Sequence, residues 1–96
     1  MSEIVNGAVQ ALAKRLGDER LDGSVRFVIE DEGVVRIDES GVSADASDAD
    51  CTITADAETF RAMLDGDLNP TSAFMSGRLK IDGGMGLAMK VAALLA

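Results

Sequence analysis

The sequence contains no histidine, no tryptophan and no tyrosine, and it has one cysteine and one proline. Without histidine there is no Ser-His or Cys-His nucleophile pair and no imidazole to shuttle protons. Without tyrosine or tryptophan the usual aromatic anchors of protein interfaces are missing. A lone Cys51 excludes an internal disulfide and suits a reducing compartment. Its neighbours Asp48 and Asp50 would raise a thiol pKa, the wrong direction for a reactive thiolate, so burial is the expected fate of this side chain. No apolar stretch reaches the ~20 residues that a membrane span needs. The start, Met1-Ser2-Glu3-Ile4, has neither the basic region nor the apolar run of a secretory signal. A cytoplasmic chain without stable membrane insertion is the expectation.

What is present is aliphatic and acidic. At 96 residues the chain is expected to form one domain over residues 1–96, with one modest core. Hydrophobic residues make up 47% and aromatics only 3%, so that core must be built from Val, Leu, Ile, Met and Ala. The net charge of −8 is unevenly placed. Residues 21–67 hold thirteen acids against Arg26, Arg36 and Arg61, whereas residues 68–96 hold Arg78, Lys80 and Lys90 against Asp82 alone. An acidic body argues against nucleic acid as a partner. The weakly basic C-terminal third is where an anionic ligand head would be tolerated.

Periodicity sets the elements. Ile4, Val5, Ala8, Val9, Leu12, Ala13 and Leu16 recur as on an amphipathic helix, and Gly17 is a natural stop. Ser24–Asp31 alternates, with Val25, Phe27 and Ile29 on one face, and predicts a half-buried strand. A turn at Glu32-Gly33 leads to a strand over Val34–Glu39, and one at Ser40-Gly41 to a strand over Val42–Ala46, an antiparallel meander. Cys51–Ala55 is a fourth strand. Asp56 caps a helix over Ala57–Asp65 that Gly66 closes. Asn69-Pro70 opens a short helix ended by Gly77, Arg78–Asp82 is a fifth strand, and Met85–Leu95 is the last helix. The fold class is α+β: a five-stranded, mostly antiparallel sheet with helices on one face.

Three features invite chemistry. Asp45, Asp48, Asp50 and Asp56 cluster, but no glycine or closing glutamate completes a calcium loop, and a solvated connection with no metal is the better reading. Gly83-Gly84-Met85-Gly86 lacks the spacing of either nucleotide motif. It is open to two readings: a hinge beside solvated basic residues, or a helix start whose free N–H groups join Arg78 and Lys80 in holding an anionic head. Met63, Met75, Met85 and Met89, four of the five methionines, fall on the last three helices. Such residues serve as core filling, or as the adaptable wall of a cavity suited to acyl chains.

Together these residues resemble the sterol carrier protein type 2 family, the non-specific lipid-transfer proteins. The resemblance lies in Val25-Arg26-Phe27-Val28-Ile29-Glu30, in Asp50-Cys51-Thr52-Ile53-Thr54-Ala55-Asp56 followed by Phe60 and Gly66, and in the final block. That block contains Asn69-Pro70, Ala73-Phe74-Met75, Gly77-Arg78-Leu79-Lys80-Ile81 and Gly83 through Lys90. The resemblance implies helices enclosing an apolar tunnel that holds fatty acid, fatty acyl-CoA, phospholipid or sterol, with no catalytic residue and no cofactor. It implies a lining drawn from Phe27, Ile29, Val35, Ile37, Phe60, Met63, Leu64, Phe74, Met75, Leu79, Ile81, Met85, Leu87 and Met89. Arg78, Lys80 and Gly84 would hold the head group, and the last helix would be a movable cover. The alternative is a non-enzymatic interaction domain that docks a partner through its apolar helix face and, alone, shields that face as a weak homodimer. A carboxylate enzyme would need two acids inside the tunnel, and this lining has none.

Overall fold

Alternation in five short strands and a 3.6-residue rhythm in four helices divide the apolar residues between one sheet face and the helices that cover it. The computed structural model describes residues 3–18 and 21–95. Met1, Ser2, Glu19, Arg20 and Ala96, which enter the charge balance and the reading of the chain's start, lie outside the described residues.

Helix α1 (Glu3–Leu16) buries Val5, Ala8, Leu12 and Leu16, one stripe of the expected pattern, and leaves Ile4 exposed. Strands β1 (Val25–Ile29), β2 (Gly33–Asp38) and β3 (Gly41–Ser43) form the antiparallel meander. The first turn uses Glu30-Asp31-Glu32, earlier than expected, with Asp31 at φ 66° and the Glu32 N–H donating to the Ile29 carbonyl at 3.0 Å. Strand β4 (Cys51–Ala55) then pairs with β1 in parallel, and β5 (Lys80–Gly83) pairs antiparallel with β4, giving the order β3-β2-β1-β4-β5.

That order explains why β3 stops at Ser43 rather than Ala46. β4 lies on the far side of β1 from β2, so residues 44–50 must cross the sheet. They cross the outer face, where Arg26 donates to the Ala46 carbonyl and Arg36 to the carbonyls of Ser47 and Asp48. Arg26 and Arg36 stand opposite each other in the β1–β2 register, an unfavourable like-charge pair. The crossing segment, Asp48 at 3.7 Å from Arg26 and Asp38 at 2.9 Å from Arg36, neutralises them. The Arg36 guanidinium, with the Ser40 N–H, holds the Asp38 carboxyl below its ordinary pKa. Asp45 accepts from Ser47 in a local turn, and Asp50 accepts from Ser24 just before β1, so these acids are spent singly.

The other face is the core. Val25, Phe27 and Ile29 of β1, Val35 and Ile37 of β2, and Cys51, Ile53 and Ala55 of β4 are buried, as alternation requires. Burial, then the nearby Asp82 charge, push the Cys51 thiol pKa up, so it stays protonated and packs as a small hydrophobe. Helix α1 covers β2 and β3, and α4 (Met85–Leu95) covers β1, β4 and β5.

Between them sit α2 (Ala57–Leu64) and α3 (Pro70–Met75). The Asp56 carboxylate caps α2 by accepting from the Thr59 N–H at 2.6 Å. The Asn69 side chain caps α3 by accepting from the N–H groups of Thr71 and Ser72. A helix of six residues has little intrinsic stability, so its cap matters. Asn69→Ala is expected to cost about 1 kcal/mol in denaturant unfolding and to raise amide exchange along α3. Asn69→Asp, which keeps the acceptor, should recover most of that loss.

Candidate functional site

Helix α3 ends where Gly77 donates to Phe74 and Arg78 to Ala73, the paired bonds of a Schellman cap. The Arg78 backbone is thereby consumed by the helix terminus, which is why β5 begins at Lys80 and not at Arg78. This short return sets α3 against α4 over the β1–β4–β5 side of the sheet. Between them is an apolar cavity of about 40 Å³.

Seven anticipated residues surround it: Phe27 from β1, Met63 from α2, Phe74 from α3, Leu79 and Ile81 from the β5 arm, and Met85 and Met89 from α4. Ile53, Pro70, Thr71, Ala88, Val91 and Ala92 complete the wall without having been anticipated. Ile53 was marked by its place in the Cys51-Ile53-Ala55 alternation. Ala88 and Ala92 were marked by helical spacing, since 85, 88, 89 and 92 share one flank of a helix. Pro70 and Thr71 carried no sequence signal.

The other seven anticipated residues lie elsewhere. Ile29, Val35 and Ile37 are fully buried on the same sheet face, Ile37 beside Leu12 and Leu16 of α1. Phe60 and Leu64 face a separate groove between α1 and α2. Met75 points off α3 with 81% of its surface exposed. Leu87 is on the opposite flank of α4, packed against Gly23.

The expected head-group cluster does not assemble. Strand β5 alternates, so with Ile81 facing inward against Ile53, Lys80 and Asp82 project from the outer face. Arg78 lies at the other end of the arm from Gly84, near Asp56, where its charge adds to the Thr59 hydrogen bond in lowering the Asp56 pKa. Gly84 spends its own N–H on the Asp50 carbonyl at 3.0 Å. Arg78, Lys80 and Gly84 thus face three different surroundings.

The cavity wall is apolar except for Thr71, and no charged group lines it. Its mouth is made of side chains that are both apolar and accessible: Phe74 is 40% exposed, Met85 47% and Met89 57%. At about 40 Å³ the space would hold a water or two, far below the several hundred Å³ of ordinary ligand sites. An occupant larger than that must displace the mouth residues. Methionine side chains, unbranched and polarizable, do this at small cost. Among the described residues no cluster of acids, cysteine or histidine could hold a metal ion, and no helix is long and apolar enough to cross a membrane.

Comparison with known proteins places this geometry. A family model described as the SCP-2 sterol transfer family matches residues 8–96. Sterol carrier protein 2 of Homo sapiens is 58% identical over 43 residues, 45% of this chain, and the matched stretch spans 8% of that protein's length. The sterol carrier protein domain 2 of Helicoverpa armigera, solved in solution, is 26% identical with a TM-score of 0.75, covering 96% of this chain and 85% of that one. Sterol carrier protein 2 of Aedes aegypti, solved in complex with palmitate, is 19% identical with a TM-score of 0.76, covering 100% of this chain and 97% of that one.

Proposed function

Because the chain belongs to the SCP-2 sterol transfer family, we propose that it is a non-catalytic carrier that holds an acyl-type lipid in the apolar space between the sheet and helices α3 and α4. One observation carries the reading: a cavity with an all but wholly apolar wall whose mouth is built from half-exposed methionine and phenylalanine. Burying a methylene contributes roughly 0.8 kcal/mol, so a twelve-carbon chain would gain about 8–10 kcal/mol before the losses of association. Fatty acid, fatty acyl-CoA and phospholipid tails enter such a space one methylene at a time. A sterol needs its whole ring volume at once, which makes it the poorer fit. The Aedes aegypti neighbour solved with palmitate agrees with an acyl ligand.

Loading works through side chains in this reading, not by lifting α4. Ala88 and Val91 anchor that helix at 3% and 1% exposure, and raising it would expose both. Met85, Met89 and Phe74 can instead rotate outward, as exposed side chains do within nanoseconds. Met89→Trp fills the mouth from a partly exposed position and is expected to lower palmitate affinity about tenfold with an unchanged melting temperature. Unchanged affinity in a titration of the delipidated variant would remove Met89 from the lining.

Exposed Met75, next to that mouth, favours a second reading in which the α3–α4 surface docks a protein partner or a second copy of the chain. Concentration-dependent dimerisation of lipid-free protein, abolished by Met75→Lys, would support it.

A further inference from the structure

Helix α1 carries a glycine that the fold itself does not need. Gly7 lies inside Glu3–Leu16, where glycine is the least favourable residue after proline. Its backbone is helical, and a Cβ there would meet no atom of the described residues within 4 Å. Neither conformation nor crowding within this chain therefore calls for glycine. What glycine offers at that point is a shallow helix surface onto which another backbone can come close.

That surface is one wall of a hollow. Between α1 and α2 lies a half-open groove of about 540 Å³. Gly7, Ala8 and Ala11 of α1 and Ala57, Phe60 and Leu64 of α2 make its apolar floor. The lining residues recur three and four apart along one face of each helix, and each wall spans about 12 Å. Arg15 of α1 donates to the Leu64 carbonyl at 2.8 Å and ties the C-terminal ends of the two helices. A trough between two tied helices, with small residues on one wall, has the shape that receives a third helix. The chain has no tryptophan or tyrosine to act as an anchor, so it supplies the hollow and a partner supplies the side chain that fills it.

Charge selects the partner. The first turns of the two helices carry Glu3 and Glu58, and Asp65 joins them on the rim against Arg61 alone. Arg61 lies one turn from both Glu58 and Asp65 and offsets only one of them. The net charge of −8 adds a long-range field of the same sign. An anionic bilayer is repelled here, whereas an apolar stripe flanked by lysine and arginine matches both floor and rim.

We propose that the α1–α2 groove docks a basic amphipathic helix of a partner protein, packed across Gly7. The site goes beyond the carrier reading and does not depend on it, since groove and cavity share no lining residue. A loaded carrier can be docked without disturbing its cargo.

The probe is an 18-residue amphipathic helix of leucine and lysine only, titrated into the whole isotope-labelled chain and followed by amide shifts. A leucine–glutamate helix of the same pattern is the control. The expected shifts fall on Gly7, Ala8, Ala11 and Leu64, with affinity at least about tenfold above that of the control. Gly7→Leu separates docking from folding. It should raise the melting temperature by about 4 °C, because leucine is the better helix former, and lower affinity for the basic helix about tenfold. Glu3→Gln combined with Glu58→Gln should weaken binding about threefold and flatten its dependence on salt. Equal affinity for the two helices, or for wild type and Gly7→Leu, overturns the proposal. So do shifts centred on Phe74, Met85 and Met89, which would place the peptide at the cavity mouth. A Gly7→Leu chain that melts below wild type would show that the space above Gly7 is not open, and overturns it as well. Binding to phosphatidylglycerol vesicles that Gly7→Leu abolishes would make a lipid surface the occupant in place of a protein helix.

Discussion

Phe27→Ala is expected to lower the unfolding free energy by about 4 kcal/mol, the largest loss from any single truncation in this chain. Phe27 is centred on β1, with β2 on one side and β4 on the other, so its ring sits in the middle of the sheet at 2% exposure. It faces Phe60 edge-on to face-tilted at 5.3 Å, and the pair is one of few places where an aliphatic core contains aromatic rings. Deleting the ring removes its transfer free energy and leaves a void that Ile53 and Met63 cannot fill from fixed positions. A domain of this size is stable by about 5–15 kcal/mol, so the variant should unfold roughly 20 °C lower yet still cooperatively. Urea unfolding would show a reduced midpoint at unchanged slope. Phe27→Leu should lose distinctly less. A loss under about 1.5 kcal/mol for the alanine variant would mean that the ring is not the keystone of this core.

Gly83→Ala is the second large effect, expected at about 3 kcal/mol. Gly83 has φ 100°, a conformation that L side chains rarely adopt. A Cβ there would come within 2.5 Å of the Asp50 carbonyl oxygen and 3.2 Å of the Cys51 Cα, both backbone atoms that cannot rotate aside. Strain and clash therefore add. The neighbouring Gly84 is the control: its Cβ would meet the same oxygen at 3.6 Å, an ordinary contact, so Gly84→Ala should cost under about 1 kcal/mol. Equal losses in the two variants would contradict this packing. The contrast also corrects the idea of a glycine hinge at this point. Gly83 is glycine so that β5 can run close against residues 50 and 51 before α4 begins, and the joint is tight where a hinge would be loose.

The elements were legible because their signals are local. The Met85–Leu95 helix and the Cys51–Ala55 strand appear with the expected bounds, and Gly66 ends α2 through the bonds its glycine permits. The parallel pairing of β4 with β1 was not legible, since no residue in residues 44–50 says which sheet edge the chain will reach. The crossing became interpretable only once Arg26 and Arg36 were seen holding it. The resemblance put Leu87 in one lining with Met85 and Met89; the two methionines, one turn apart, do share the cavity, but the 3.6-residue geometry sends Leu87 to Gly23 instead. The head-group trio failed for a related reason. Arg78, Lys80 and Gly84 are neighbours in sequence, but helix cap, strand pleat and helix start point them three ways. Phe60 carried a correct apolar signal for burial, and only the position of α1 shows that it faces the groove.

The carrier reading turns on whether the apolar space between sheet and helices takes up a lipid at one per chain. Native mass spectrometry of protein purified without detergent, followed by extraction and identification of whatever accompanies it, measures this directly. The expected result is a stoichiometric acyl lipid, or uptake of one palmitate per chain by delipidated protein. A clean protein mass that persists after incubation with fatty acid, fatty acyl-CoA and sterol would contradict a carrier and leave the α3–α4 surface as a docking face.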